Sequence, residues 1–110
     1  MNIIASHNVS KLDVINSTSS KSFKDVMPTD VIIVTGCAVV EDEKDGQFAY
    51  LYTKDGEVYG GNAANAIKLV HDLIGLFTDP DESADAYGVS VRPGTSNSGK
   101  TFLTFHVSMV

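Results

Sequence analysis

Between Asp30 and Val40 the run DVIIVTGCAVV is apolar and β-branched, which predicts one long strand, and Gly36 in its interior predicts a bulge or sharp bend. A strand bent in this way can serve both halves of a closed barrel. EDEKDG then supplies turn residues and FAYLYT alternates as the next strand. Asp55-Gly56 is a two-residue hairpin signal, and Val58-Tyr59 begins the return strand. From Ala63 the period changes from 2 to 3.6: apolar residues recur at Ile67, Val70, Ile74 and Phe77, broadened by Ala66, Leu69 and Leu73. This predicts a helix of about four turns, with Asn62 placed to cap it and Asn65, Lys68 and Asp72 on its wet side. TDPDES stops it, and YGVSVR and TFLTFHVSMV alternate as two further strands joined by PGTSNSGK.

The order of three strands, a helix and two strands predicts a mainly β chain, a five-stranded OB-fold-like barrel with one helix between strands 3 and 4. Residues 1–22 are rich in Ser and Asn, with apolar positions but no sustained period, and read as a flexible or weakly extended N-terminal arm. Residues 23–110 are then the barrel domain. In the last strand Leu103, Phe105, Val107 and Met109 form an apolar face expected in the core, which turns Phe102 outward.

Composition narrows the function. An apolar fraction of 43% is ordinary for a globular chain, and no run reaches the roughly 18 to 20 apolar residues of a membrane span. The N-terminal sequence does not read as a secretory signal, so an intracellular site is expected. Cys37 is the single cysteine, expected as a small core residue, and it excludes an intrachain disulfide. The net charge of -6 opposes nucleic-acid binding, but the acids are clustered: Glu41, Asp42, Glu43 and Asp45 in one turn, and Asp79, Asp81, Glu82 and Asp85 in another. Elsewhere acids and bases nearly balance, so a non-acidic face remains open.

Gly94-Thr95-Ser96-Asn97-Ser98-Gly99-Lys100-Thr101 satisfies the GxxxxGK[ST] phosphate-loop pattern, yet a period-2 strand follows where a phosphate loop needs a helix. The segment reads as a hairpin whose amides, Ser98 and Lys100 are candidates for phosphate contacts. Asp79, Asp81, Ser83 and Asp85 resemble a calcium loop, but Ala84 stands where glycine is needed and Ser90 where glutamate is needed. His7, His71 and His106 lie at no metal-ligand spacing. No nucleophile or acid-base pair has a flanking signature, so the expectation is a non-enzymatic protein with no metal and no cofactor.

The aromatic residues suggest what is bound. Phe48, Tyr50 and Tyr52 share one face of a strand, Tyr59 lies across the Asp55-Gly56 turn, and Arg92 and Lys100 flank the hairpin that precedes Phe102. Aromatic platforms beside cations bind single strands, each base stack contributing roughly 1 to 3 kcal/mol. Equally, Phe48 and Tyr52 can fill the barrel while only Tyr50 or Tyr59 reaches water.

SFKDV (22–26), YTKDGEVYGG (52–61), HDLIGLF (71–77) and VRPGTSNSGKTFLTFHVSMV (91–110), in this order, resemble the single-stranded DNA-binding proteins of small protein-primed Bacillus phages. The resemblance implies an early replication protein in the cytoplasm of the infected bacterium, coating and protecting displaced strands during viral DNA replication. Its partners are then single-stranded DNA and viral replication proteins, with a monomer or weak self-association and no membrane. It also implies a loop-aromatic element at Phe23-Lys24 and binding tyrosines at Tyr52 and Tyr59. With Lys21 and Lys54 as further phosphate contacts, the expected interface is Lys21, Phe23, Lys24, Tyr50, Tyr52, Lys54, Tyr59, Arg92, Ser98, Lys100 and Phe102. An OB-like module that docks on a host or replisome protein is the alternative, and the acidic loops suit it.

Overall fold

The structure is a computed structural model that describes residues 2–82 and 84–110. Its elements are β1 (Asn2–His7), α1 (Lys11–Ile15), β2 (Lys21–Ser22), β3 (Val31–Asp42), β4 (Gly46–Thr53), β5 (Val58–Gly61), α2 (Ala64–Thr78), β6 (Tyr87–Thr95) and β7 (Thr101–Met109). The seven strands form one sheet in the order β2-β5-β4-β3-β6-β7, with β1 also paired to β3. All pairings are antiparallel except β2 with β5, so the sheet is mixed, and it curls into a half-barrel around α2.

The long apolar run folds as β3, and its bend falls at Thr35 and Gly36. Val34 pairs with Thr53 and Gly36 with Tyr52, so Thr35 is an extra residue with no counterpart on β4. That insertion shifts the side-chain phase by one. Val34 lies in the core before the bulge and Cys37 and Val39 after it, all facing the same side although regular alternation would place Gly36 and Ala38 there. The same point divides the far edge of β3. Residues 31–34 pair with β6 and residues 37–41 pair with β1. Gly36 is required by close approach: a Cβ there would lie 2.9 Å from Val9 Cγ2 and 3.1 Å from the carbonyl oxygens of His7 and Asn8. Asn8 itself has φ +54 and donates from Nδ2 to the Thr35 carbonyl at 3.2 Å, joining the end of β1 to the bulge.

The inner face of the sheet packs on α2. Val34, Cys37, Val39, Ala49, Leu51, Tyr87 and Val89 meet Ala66, Leu69, Val70, Leu73 and Phe77 from the helix stripe. Burial drives the Cys37 thiol up to about 12, so it stays neutral and unreactive while the chain is folded. The helix begins after Ala63, not Asn62, and no side chain caps its first turn. Leu103, Phe105 and Val107 join the core as expected, but Met109 does not and is exposed.

Residues 2–22, expected as a flexible or weakly extended arm, form short elements laid on the sheet. β1 pairs with β3, with Ile4 as a bulged residue, and α1 is closed by a capping box in which Ser10 and Asp13 satisfy each other's backbone N–H groups. Val14 and Ser17 pack on the outer sheet face, the first over a smaller cluster of Ala38, Val40 and Tyr50. Val14 contributes roughly 1.5 to 3 kcal/mol by burial. Among the described residues no helix is long and apolar enough to cross a membrane.

Two glycine substitutions separate close packing from backbone freedom. Gly36→Ala should lower unfolding free energy by about 1 to 3 kcal/mol, because the neighbouring atoms are mostly backbone and cannot yield. Gly75→Ala, in α2 with open space around it, should raise stability by about 0.5 to 1 kcal/mol. Urea titration measures both.

Candidate functional site

Where a closed barrel would pair its last strand with the third hairpin strand, this sheet has a seam between β5 and β7, which are not hydrogen-bonded to each other. The seam is plugged by a side chain. Ser22 and Asp25 form a capping box around the turn Phe23–Asp25, which drives Phe23 inward and Lys24 outward. The Phe23 ring meets Phe105 edge-on, with centroids 5.2 Å apart, and lies where a Cβ on Gly61 would be. On the β7 side, Asn65 Nδ2 donates to the Leu103 carbonyl at 3.0 Å and satisfies one acceptor of the open edge.

Two adjoining cavities follow this seam. One, of about 810 Å³, is bounded by Phe23, Lys24, the first turn of α2, Pro93, Phe102, Leu103 and Phe105. The other, of about 400 Å³, shares Phe23, Lys24, Ala63 and Leu103 with it and extends past Lys21 and Gly60 to Phe48. Lys21 and Lys24 are the charged residues of these walls, and no carboxylate lines either cavity. The Asp79–Asp85 cluster follows the other end of α2, about 22 Å along a 15-residue helix, and the Glu41–Asp45 cluster caps the β3–β4 hairpin. Ser83 of the calcium-like loop lies outside the described residues; among the described residues no cluster suited to a metal ion occurs.

The sequence-predicted residues fall into four places. Lys21, Phe23, Lys24 and Phe102 gather along the seam. Phe102 is 42% exposed, and its ring rests on bare backbone at Gly94, where a Cβ would come within 2.8 Å of it. Lys54 and Tyr59 border a separate cavity of about 390 Å³ with Ile32, Thr53 and Asp55. Tyr50 and Tyr52 lie on the opposite sheet face from Tyr59, because Tyr59 pairs with Leu51 and shares its inward direction. Arg92 is exposed on β6, and Ser98 and Lys100 are exposed in the β6–β7 turn, where Ser98 Oγ meets Ser96 Oγ at 2.9 Å. The phosphate-loop pattern thus spans a hairpin, with Gly99 at φ +84, and no helix follows it.

Two rings of the expected interface are buried in this structure. Phe23 is 3% exposed and serves as the plug, so it offers a groove wall in place of a free stacking ring. Tyr50 is 8% exposed beneath the N-terminal segment. Burial raises the phenols of Tyr50 and Tyr52, and Ser17 Oγ meets Tyr52 OH at 2.6 Å. Such a hydroxyl pair contributes about 0.5 to 1.5 kcal/mol net. Asn65 and Phe105 were missed as groove residues, since one reads as the wet side of a helix and the other as core.

Charge at the site is partly spent. Lys21 Nζ lies 2.9 Å from Glu57 Oε2, and this bond raises the Lys21 pKa and keeps it protonated. Among the described residues Lys24, Lys54, Arg92 and Lys100 make no ion pair. The hydroxyl of Thr53 donates to Asp55 and holds its carboxyl below the ordinary range. Its support for the β4–β5 turn is therefore complete above the ordinary carboxylate pKa and is lost as pH falls through the lowered value.

The plug and the exposed ring are separable. Phe23→Ala should destabilise the fold by about 3 to 5 kcal/mol. Phe102→Ala should change stability by roughly 0.5 kcal/mol or less. Denaturant midpoints of the two variants test this assignment.

Comparison with family models, with curated proteins and with solved structures gives no match, so the site is read from its own geometry.

Proposed function

We propose that this chain is a sequence-tolerant single-stranded DNA-binding protein and not an enzyme. The observation that carries the reading is the seam: a groove holding the unpaired Lys24, the Glu57-paired Lys21 and Phe102, with no carboxylate among the described residues of its walls, on a chain of net charge -6. In an acidic protein a cation-bearing groove is a local exception, and phosphate is the ligand such an exception suits. Phe102, held out from the body on Gly94, supplies a face on which any base can stack. Lys24, Arg92 and Lys100 then meet backbone phosphates at intervals, without reading sequence.

On this reading β3 to β7 form the five strands of an OB-type barrel, opened between β5 and β7, with α2 across its base. The resemblance to the binding proteins of protein-primed phages extends the proposal: a factor that coats displaced strands during viral replication in the cytoplasm of an infected bacterium. A protein-docking module is the second reading, favoured by the apolar walls that Pro93, Leu103 and Phe105 give the groove.

Fluorescence anisotropy of a labelled oligo(dT) of about 30 nucleotides, titrated beside duplex of equal length, tests the proposal. Saturable binding to the single strand with far weaker duplex binding is expected. With Lys24, Arg92 and Lys100 meeting phosphate, log affinity should fall with log salt at a slope of about -2. Phe102→Ala should weaken binding by about 5- to 150-fold, the equivalent of one lost stack. Absence of binding at low salt would sink the reading in favour of a protein partner.

A further inference from the structure

The outer face of β4 carries three rings at alternate positions, and residues 9–20 lie over them. Phe48 and Tyr50 have centroids 5.0 Å apart, and Tyr50 and Tyr52 have centroids 6.3 Å apart, so the rings form a continuous row backed by Ala38, Val40 and Val58. Phe48, at one end of the row, also lines the seam beside Lys21, Lys24 and Ser20. A strand leaving the groove past Lys21 therefore meets Phe48 first, with Tyr50 and Tyr52 beyond it under the N-terminal segment.

That segment is built as a lightly attached layer. Val14 and Ser17 are its buried described residues, and Ser17 is tied to the row through the Tyr52 hydroxyl. Leu12 and Ile15 of the same short helix turn away to solvent, 66% and 58% exposed, where a segment committed to the core would direct them inward. Five residues of α-helix are too few to persist alone, so α1 keeps its shape through the Ser10–Asp13 box and its seat on the sheet. The rings beneath contact one another and β3 as well as Val14 and Val9 of the layer above, so part of their packing persists when that layer lifts.

We propose that residues 9–20 are a displaceable cover over a second base-stacking track, Phe48–Tyr50–Tyr52, and that single-stranded nucleic acid entering from the seam takes the place of Val14 and Ser17. The inference rests on the nucleic-acid reading of the groove. A closed cover lowers apparent affinity by the fraction of molecules that are open, so a variant that opens it binds more tightly.

The test uses the full chain with Val14→Asp, which opposes burial of α1, and Ser17→Ala, which removes only the hydroxyl partner of Tyr52. Ultraviolet difference titration reads the Tyr50 and Tyr52 phenols, expected to return toward the ordinary range in Val14→Asp with the far-ultraviolet dichroism of β structure retained. Oligo(dT) affinity should rise by about 3- to 10-fold in Val14→Asp and in the same direction, less far, in Ser17→Ala. Hydrogen exchange of the unaltered chain should quicken at residues 11–20 when oligo(dT) binds, while β4 amides slow. Unfolding of Val14→Asp with no gain in Ser17→Ala, equal affinities across the three proteins, or slowed exchange at residues 11–20 would each overturn the cover. Failure of all three proteins to bind oligo(dT) would overturn the nucleic-acid reading and the cover with it.

Discussion

The fold depends on a single inserted residue. With Thr35 extra in β3, Val34, Cys37 and Val39 all reach one core although the strand bends between them. Were Thr35 taken into regular alternation instead of bulged out, every side chain beyond it would change faces, exchanging Cys37 and Val39 for Ala38 and Val40. The bend also allows two strands to share one edge, β6 before it and β1 after it. Through the pairing of Gly36 with Tyr52 and Cys37 with Leu51, the same insertion sets which face of β4 meets the helix. The position of the tyrosines, and therefore the character of the outer surface, follows from an irregularity two strands' width away from the seam.

Much of this was legible where the signal is local. Gly36 marked the bulge, Asp55-Gly56 the hairpin, and the stripe from Ala66 to Phe77 the buried helix, because each is decided by residues adjacent in sequence. The outward placement of Lys24 and Phe102 was legible for the same reason: both are set by turns close to them. The N-terminal segment was not legible. Six residues of strand and five of helix are too short to show a period, and their places are set by β3 and β4. The faces of Phe48, Tyr50 and Tyr52 were open from sequence because one extra residue on a partner strand decides them. Phe23 looked like a free loop aromatic, and only the gap between β5 and β7 makes it a plug.

The seam and the plug explain each other. A curled sheet that stops short of closure leaves a gap which a phenyl ring fills; β2 pairs the β5 edge, and the ring leaves the backbone groups of the β7 edge unsatisfied. Asn65 satisfies one of them at Leu103, and the remainder of that edge stays available to solvent or ligand. The open β7 edge and the unpaired Lys24 thus occur together there, beside the Lys21–Glu57 pair. The acidic turns sit at places where closure is intact, at a hairpin tip and beyond the helix end.

The division of the β3 edge also bears on how the chain is made. Val31 pairs with Ser90, so the edge of Val31–Val34 waits for a partner about sixty residues downstream. At a synthesis rate of about 5 to 20 residues per second, that interval is roughly 3 to 12 seconds. Throughout it a β-branched apolar quartet stands with its backbone groups unpaired, a template for another nascent copy. The charged segment Glu41–Asp45 lies just downstream on the same hairpin and emerges well before β6. Brought edge to edge, two unfinished chains would set these like charges against each other, which opposes pairing at that strand.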